Sequence, residues 1–416
     1  MKLKTVIVID NSSYPLGGTA QVAFISALEL KRRGYEVVYV STDKSPNPAL
    51  TEKGIRVECL DNLGIRDNPN RLEAAANGIW NADIGSKVKR ILQHYDSQST
   101  IIHIHGYLHT FSPSILKVCS QSGKKVILTL HDYFTLCPCG GFYDYKSKKV
   151  CNKSPMSLKC ILCNCDKRNY PQKIWRVIRQ VGVNKWLTNN KKIALAYISE
   201  FSYSKMKERV EKRHKTFYVR NPYDLGENFV YKAENNFDYV FLGRLSEEKG
   251  ADLFCRTFVR LLKNGKVRGK AIVVGDGELK EKLENNYPEI TFVGWKTHDE
   301  MPEIMKTARA LVFPSRWYEG APLTPIEFMA HGIPCIVSDA CAATEYVKDD
   351  SNGLIFQSEN EDALIDSVLK AEDDRKWSSV AAELRNSFDR MQYSVSTHCD
   401  RLIEVYNMIL CGGQTY

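Results

Sequence analysis

The sequence has no long apolar run. No segment approaches the roughly 18 consecutive apolar residues that a membrane-spanning helix needs. The apolar stretch at residues 6–9 is too short for the hydrophobic region of a signal peptide, and it runs directly into Asp10. We therefore expect a soluble, cytoplasmic chain.

Two common phosphate-binding motifs are also missing. No G-x-G-x-x-G follows the first predicted strand, and there is no P-loop. The chain is therefore neither a dinucleotide-binding protein of the usual type nor a P-loop NTPase.

There is no low-complexity tract, and a composition of 43% hydrophobic and 26% charged residues is typical of a globular protein. Because 416 residues exceed one typical domain, the length predicts two.

What the chain does contain is two sets of short apolar strands that alternate with helical stretches. The first set lies in the N-terminal half, at residues 5–10, 35–41, 55–60, 100–105, 126–130, 194–198 and 218–220. The second set lies at residues 239–242, 271–274, 291–293, 311–313 and 335–337. This alternation predicts doubly wound parallel sheets, whose ligands bind beyond the carboxyl ends of the strands.

The domain boundaries follow from a change in composition. Residues 225–236 are polar and turn-rich, which predicts a linker. We expect an N-terminal domain over 1–220 and a C-terminal domain over 221–394. Apolar side chains recur at helical spacing near the end of the chain, so we expect a final helix within 395–416.

Two carboxylates eight positions apart, Glu319 and Glu327, flank a turn that runs into a short predicted helix. Thr324 can cap this helix, and Pro325 suits its first position. The open amides and the positive dipole end of such a helix attract an anionic phosphate, so both carboxylates could face one ligand. The alternative is a capping box, in which Glu327 only satisfies backbone donors.

A second loop carries two cations. Residues 239–250 predict a strand, a loop that presents Arg244 and Lys249, and a helix. An arginine fork and a lysine point charge on one loop can clamp a diphosphate. An ordinary solvated loop would also contain such residues, but the combination with the two glutamates is more specific.

Together these segments resemble the family 4 glycosyltransferases, which are retaining enzymes of the GT-B fold. The resemblance extends to Gly17-Gly18 and to His131-Asp132. It implies two Rossmann-like, doubly wound domains that face a central cleft, with the acceptor against the N-terminal domain and the nucleotide sugar mainly on the C-terminal one. It also implies that the final helix crosses back to the N-terminal domain.

The resemblance implies a role for each site residue. Arg244 and Lys249 would stabilise the departing diphosphate, Glu319 would contact the donor sugar, and His131 would bond a sugar hydroxyl at the reaction centre. We expect these four residues to be catalytic, and Glu327 to hold the ribose hydroxyls. The other expected nucleotide-sugar contacts are Gly17, Gly18, Gly275, Trp295, Gly320, Ala321, Leu323 and Thr324.

Three N-terminal residues follow predicted strands. We expect His105 and Tyr107 on the acceptor side, because they follow the strand at 100–105. His131 follows the strand that ends at Leu130, and its alternative is a histidine satisfied at a strand end.

The resemblance also implies the course of the reaction. The acceptor would attack from the face that the diphosphate leaves, so the anomeric configuration is retained, and the leaving phosphate would take the acceptor proton. The cationic clamp makes a catalytic divalent ion unnecessary, and we find no D-x-D-type carboxylate pair placed to hold one. We expect a hexose-type donor linked to UDP rather than GDP, and no cofactor.

Six of the thirteen cysteines fall in one window, at Cys137, Cys139, Cys151, Cys160, Cys163 and Cys165. Their spacing is compatible with a thiolate site, so we expect either structural zinc, held by Cys137, Cys151, Cys160 and Cys163, or free thiols. The window and the basic segment after it form a predicted insert at about 137–192.

The basic segment at 167–192 contains eight lysines and arginines and no acidic residue. A basic helix with tryptophans is typical of a surface that meets anionic lipid headgroups. The alternatives are a solvated basic face whose tryptophans join the core, or nucleic-acid binding, for which there is no accompanying motif. We expect a lipid-linked saccharide acceptor, a role in bacterial surface polysaccharide or lipopolysaccharide synthesis, and peripheral association with the inner face of the membrane.

Other functions would share parts of this pattern. A sugar-nucleotide epimerase or a phosphorylase would have the same fold, although a phosphorylase needs a lysine for pyridoxal phosphate. A zinc-containing nucleic-acid-binding protein would use the basic segment, but it would leave Arg244, Lys249 and the two glutamates without a purpose. We therefore expect no nucleic-acid partner.

Overall fold

A computed structural model describes residues 2–65, 67–223 and 231–412 of the chain. The chain divides into two units. Unit 1 comprises Met1–Ser147, Cys151–Pro222 and Gln392–Tyr416, and unit 2 comprises Lys148–Val150 and Tyr223–Met391. Half of the predicted linker, residues 225–230, lies outside the described residues.

The sheet of unit 1 has seven strands, all parallel to their neighbours. Its strands are β1 (Thr5–Ile9), β2 (Glu36–Ser41), β3 (Arg56–Cys59), β4 (Thr100–Ile104), β5 (Lys125–Leu130), β8 (Ile193–Tyr197) and β9 (Thr216–Tyr218). Their order in the sheet is β3-β2-β1-β4-β5-β8-β9. The two-residue strands β6 (Tyr143–Asp144) and β7 (Lys149–Val150) are not part of this sheet. All five residues of β1 and of β4 are buried, which is why these strands are apolar runs rather than alternating ones.

Helices connect these strands. They are α1 (Gly18–Arg32), α2 (Pro48–Thr51), α3 (Arg71–Ile79), α4 (Ala82–Gln93), α5 (Ser114–Gln121), α6 (Leu158–Ile161), α7 (Tyr170–Val183), α8 (Glu200–Ser204) and α9 (Lys207–Val210). Helix α7 continues into a turn of π-helix at Asn184–Thr188. Of the described helices in either unit, none is both long and apolar enough to cross a membrane.

The sheet of unit 2 has six strands, again parallel. They are β10 (Asp238–Leu242), β11 (Ala271–Val274), β12 (Thr291–Gly294), β13 (Ala308–Phe313), β14 (Cys335–Ser338) and β15 (Leu354–Phe356), in the order β12-β11-β10-β13-β14-β15. The helices are α10 (Ala251–Lys263), α11 (Lys280–Asn286), α12 (Met301–Met305), α13 (Leu323–Ala330), α14 (Glu361–Glu372) and α15 (Asp374–Ser387). The predicted doubly wound parallel sheets are confirmed.

The last helix, α16 (Val395–Leu410), belongs to unit 1. Its buried residues include Leu402, Val405 and Tyr406, which join the core beneath β1 and β2. The Tyr406 hydroxyl lies 2.6 Å from Nδ1 of His103 on β4, and both groups are buried. The C-terminal helix is thus fixed to the sheet by apolar packing and by a buried polar contact.

Both sheets reverse their strand order at one position. In unit 1, strands β1, β2 and β3 follow one another toward one edge of the sheet, and β4, β5, β8 and β9 follow one another toward the other edge, so the reversal lies between β1 and β4. In unit 2 the same reversal lies between β10 and β13. At such a switch point neighbouring loops diverge and leave a crevice outside the carboxyl ends of the strands, where ligands of this architecture bind.

Candidate functional site

The switch point of unit 1 opens into a cavity of about 590 Å³. Its wall is formed by the loops that follow β1, β4 and β5. All the residues that sequence analysis predicted for this unit's site line it, namely Gly17, Gly18, His105, Tyr107 and His131. They lie far apart in the chain, and parallel pairing of the three strands brings their carboxyl ends together.

Two histidines form a pair in this cavity. Nδ1 of His105 lies 3.0 Å from Nε2 of His131, and the rings are stacked with centroids 5.3 Å apart. Burial lowers the pKa of His131 to about 3 and lowers the pKa of His105 well below its usual value. Both imidazoles are therefore neutral near pH 7. His131 can donate a hydrogen bond to a hydroxyl or accept one from it, but it does not carry a positive charge.

Two carboxyl groups accompany the histidines, and sequence analysis did not assign either to the site. Burial raises the pKa of Asp10 to about 7 and that of Asp132 to about 6. Oδ1 of Asp10 is buried without a hydrogen-bond partner among the described residues, whereas Oδ1 of Asp132 accepts a bond from the Phe134 amide. Asp10 directly follows β1, and this position at a strand end was the available signal.

Glycines let the backbone approach these groups. A Cβ at Gly106 would lie 2.2 Å from Nδ2 of Asn11 and 2.5 Å from Oδ1 of Asp10, so only glycine fits there. Gly17 has a φ of 102° and precedes the first residue of α1. The open amides of the first turn of α1 therefore lie at the cavity, where they can bind an anion.

In unit 2, the loops on the two sides of the switch point carry the predicted charged residues. Arg244 and Lys249 follow β10, and Glu319 follows β13. Each cation is paired with a carboxylate. Nη2 of Arg244 lies 2.6 Å from Oε1 of the buried Glu248, and Nζ of Lys249 donates to Oε1 of Glu319.

The Glu319 carboxylate is held by three donors. Besides Lys249, Nε1 of Trp317 and the Ser315 hydroxyl, 3.2 Å away, donate to the same oxygen, Oε1. The side chain is 9% exposed. These contacts fix the position of the carboxylate.

The start of α13 differs from the prediction. The helix begins at Leu323, and Pro322 precedes it without a side-chain capping bond. Thr324 is therefore not the cap, Pro325 is the third helical residue rather than the first, and the capping box with Glu327 does not form. Since Pro322 and Pro325 have no N–H group, the open amides of this first turn belong to Leu323 and Thr324.

The remaining predicted residues of unit 2 surround the same strand ends. Gly275 follows β11, and a Cβ there would lie 2.0 Å from the carbonyl oxygen of Gly243, so the loops after β10 and β11 are in direct contact. Trp295 follows β12 and is 69% exposed. Gly320 and Ala321 lie between Glu319 and the start of α13.

Comparison with known families decides the assignment. The chain matches the family model described as Glycosyltransferase Family 4 over residues 16–162, and the model described as Glycosyl transferases group 1 over residues 227–393. The chain belongs to glycosyltransferase family 4. The predicted residues of each strand-end site lie within one of these matched regions, whereas Asp10 precedes the first region.

Curated relatives of this glycosyltransferase include two bacterial enzymes. It is 27% identical over 194 residues to UDP-Gal:alpha-D-GlcNAc-diphosphoundecaprenol alpha-1,3-galactosyltransferase of Escherichia coli, covering 45% of this chain and 49% of that protein. It is 30% identical over 181 residues to the lipopolysaccharide core biosynthesis mannosyltransferase LpsB of Rhizobium meliloti, covering 40% and 50%. The matches span about half the length of these relatives.

Solved structures share the fold over nearly the whole chain. Sucrose-phosphate synthase of Thermosynechococcus elongatus has a TM-score of 0.71 at 17% identity, covering 99% of this chain and 100% of that one. Anabaena HepE in complex with UDP and glucose has a TM-score of 0.64 at 16% identity, covering 97% and 99%. The expected GT-B fold is confirmed.

For the cysteine window of this glycosyltransferase we expected either structural zinc or free thiols. Of the described residues, no group of histidine, cysteine, aspartate or glutamate side chains is placed to hold a metal ion, which leaves the set Cys137, Cys151, Cys160 and Cys163 without support. The buried ammonium group of Lys173 lies among sulfurs instead, 3.3 Å from Cys165.

The basic segment is also only partly a charged surface. Lys173 and Arg179 on α7 are buried, and Nε1 of Trp175 donates to the carbonyl oxygen of Ala75 on α3. Conversely, Ile178 and Val181 are 50% and 59% exposed. The prediction of a basic face is wrong for the middle of α7. Helical spacing places Lys173 and Arg179 in the interior, whereas the apolar Ile178 and Val181 are exposed.

Proposed function

We propose that the chain transfers a hexose-type sugar from a nucleotide sugar to a saccharide acceptor, with retention of configuration. The observation that carries this proposal is the pairing of Lys249 with Glu319 across the unit 2 switch point, next to the start of α13. A cation, a carboxylate and open helix amides at one strand-end crevice suit a ligand that contains both phosphates and hydroxyl groups.

The donor diphosphate binds the cations and the helix start. Negative charge grows on the phosphate oxygens as the glycosidic C–O bond breaks, and preorganised positive groups stabilise that charge. Arg244, Lys249 and the amides of Leu323 and Thr324 supply them. The carboxylates of Glu248 and Glu319 already orient the two cations, so little reorganisation is needed.

The donor sugar, the ribose and the base of the nucleotide sugar bind along the same loops. Glu319, fixed by its three donors, contacts hydroxyls of the donor sugar, and Glu327, on α13 and 8% exposed, holds the ribose hydroxyls. The base lies toward Gly275 and Trp295. UDP is favoured over GDP, because the E. coli relative is named for UDP-galactose and HepE was solved with UDP.

The acceptor binds at the cavity of unit 1. His105 and Tyr107 line it on the acceptor side, and the neutral His131 bonds a sugar hydroxyl at the reaction centre. The leaving phosphate takes the acceptor proton, which agrees with an uncharged His131. No divalent ion takes part, because Arg244 and Lys249 supply the positive charge that the diphosphate requires.

The acceptor is lipid-linked, and the chain is a cytoplasmic protein that works at the inner face of a bacterial membrane, in surface polysaccharide or lipopolysaccharide synthesis. The E. coli relative is named for a diphosphoundecaprenol acceptor, and the R. meliloti relative for lipopolysaccharide core synthesis. The exposed Ile178 and Val181, with the exposed Lys185, Lys191 and Lys192 after them, suit an anionic headgroup layer.

Thermal-shift measurements with UDP-, GDP- and dTDP-sugars, followed by a transfer assay, test this function. A UDP-sugar at about 100 times its Kd should stabilise the fold by roughly 2.7 kcal/mol, and an acceptor-dependent product with retained configuration should form. Conversion of the donor without an acceptor product would instead support an epimerase. Salt-sensitive binding of nucleic acid, without affinity for nucleotide sugars, would support a nucleic-acid-binding protein.

A further inference from the structure

Two cysteines of unit 1 lie within reach of one another beside a buried lysine. Sγ of Cys139 is 3.8 Å from Sγ of Cys165. Nζ of Lys173 lies 3.3 Å from Sγ of Cys165, 3.7 Å from Sγ of Cys160 and 3.8 Å from Sγ of Cys139. Cys139 is half-buried, Cys165 is buried, and Lys173 is fully buried. We call Cys139 and Cys165 the sulfur pair.

The charge of Lys173 determines the chemistry of the sulfur pair. The hydrogen-bond acceptors of its ammonium group are sulfur atoms only, among the residues that the structure describes. A buried ammonium ion is costly unless an anion balances it, and a neutral thiol is a weak acceptor. A thiolate in this group of sulfurs balances the charge, and the shortest distance places it on Cys165. A thiolate is the form of cysteine that reacts with oxidants.

We propose that Cys139 and Cys165 are a redox-active pair that a peroxide converts into a reversible disulfide, with Lys173 as the positioning charge. The Cys165 thiolate attacks one peroxide oxygen, the O–O bond breaks, and hydroxide leaves with a sulfenic acid formed on Cys165. The Cys139 thiol then attacks that sulfur, and its proton and the sulfenic hydroxyl leave as water. In total, two thiols and one hydrogen peroxide give one disulfide and two waters, and a dithiol reverses the reaction by exchange.

The disulfide would connect the loop that borders the cavity of unit 1 to the segment before α7. Cys139 lies in the loop whose Asp132, Phe134 and Thr135 line that cavity. Cys165 lies just before α7, whose Gln180 donates to the carbonyl oxygen of Phe134 at 3.0 Å. Since a disulfide requires a sulfur separation of about 2.0 Å, the two sulfurs must approach one another on oxidation. The bond would then tie the loop that lines the cavity to the segment before α7.

The test is peptide mapping of the purified full-length chain after graded treatment with hydrogen peroxide and alkylation of the remaining free thiols. We expect a peptide pair joined through Cys139 and Cys165 that dithiothreitol separates. It should form at peroxide levels that leave Cys119 reduced, since Cys119 is buried and no cation of the described residues lies beside it. The Cys139→Ser and Cys165→Ser variants should lose the pair, and Cys151→Ser should keep it.

Replacement of Lys173 tests the positioning role. Lys173→Met should slow formation of the disulfide by at least about threefold, because the thiolate loses its counter-ion, whereas Lys173→Arg should restore part of the rate. Three results on the wild-type chain would overturn the proposal whatever the variants do. They are a sulfur pair that stays reduced while Cys119 is oxidised, a product that joins Lys173 to a cysteine through an added oxygen, and co-purified zinc that blocks both thiols.

Discussion

At the scale of single residues, the site of unit 2 depends on charges that neutralise one another. Lys249 and Glu319 are 70 positions apart, and they meet because their loops follow adjacent strands. Local sequence could indicate that both residues are functional, but not that one would hold the other. The same holds for Lys173 and Cys165, whose contact depends on how α7 packs and not on the spacing of the cysteines.

Glu319→Gln tests the carboxylate. The amide keeps the shape of the side chain but removes the charge that orients Lys249 and that we propose contacts the donor sugar. We expect kcat to fall by about 10²–10³, with a smaller change in KM, because the lost interaction strengthens in the transition state. Steady-state kinetics measures this. Glu289→Gln, which removes a surface partner of Lys263, is the matched control and should keep wild-type kinetics.

The half-buried His131 predicts a pH effect on stability. Its pKa is about 3 in the folded chain against 6.5 when exposed, so the unfolded chain binds more protons between these values, and its contribution to stability is lost as pH falls through this window. Relative to His131→Gln, the wild-type free energy of unfolding should drop by up to roughly 1.4 kcal/mol per pH unit below about pH 6.5.

Chemical denaturation of both chains at several pH values measures this difference. The comparison with the variant is needed because burial raises the pKa of Asp10 and of Asp132, and these carboxyls shift stability in the opposite direction in the same window. Parallel pH profiles for the two chains would show that His131 is protonated as easily in the folded chain as in the unfolded one.

At the scale of elements, apolar runs located the strands well, because a strand of a parallel sheet is buried on both faces. The run at 5–10 became Thr5–Ile9, and the run at 126–130 became Lys125–Leu130. The strand Leu354–Phe356 was not predicted, although other runs of three residues were. The capping signal at Thr324 failed because the proline-containing turn before it starts the helix two residues earlier, at Leu323.

The packing of α16 gives a prediction for the C-terminal helix. Leu402 is fully buried in the core of unit 1, so Leu402→Ala should destabilise this unit by about 2–5 kcal/mol, through lost contacts and a cavity. Denaturant unfolding measures it. Leu369→Ala on α14 is the control, because that side chain is 38% exposed and its truncation should cost less than about 1 kcal/mol.

The surface of α7 gives a second prediction at this scale. Binding to liposomes that contain anionic lipid should weaken severalfold when Ile178 and Val181 are both replaced by serine, and again when Lys185, Lys191 and Lys192 are replaced by glutamine. Replacing Lys263, an exposed lysine of unit 2, should change nothing in a sedimentation assay. Unaltered sedimentation of the α7 variants would remove this surface from the proposal.

At the scale of the whole molecule, one rule places the candidate sites. Each sheet has one reversal of strand order, between β1 and β4 in unit 1 and between β10 and β13 in unit 2, and the predicted functional residues lie at the carboxyl ends of these strands or of strands close to them in the same sheet. The strand order was not predicted from the sequence, because it depends on pairing between distant segments. The family resemblance supplied the roles of the residues, and the topology explains why those residues meet.

A donor site that relies on side-chain cations predicts transfer in the absence of divalent ions. The transfer rate should change by less than about twofold when a chelator is added to metal-depleted enzyme, because Arg244 and Lys249 carry the charge that a metal would otherwise supply. Loss of activity that Mg²⁺ or Mn²⁺ restores would contradict this part of the mechanism.

The most direct test of the central claim is titration calorimetry of UDP with the wild-type chain, Lys249→Met and the control Lys263→Met. If the Lys249 cation binds the diphosphate, its removal should weaken binding by about 10- to 150-fold, which corresponds to about 1.5–3 kcal/mol for a charged hydrogen bond, and the control should match the wild type. Equal affinity of all three folded proteins for UDP would contradict the claim.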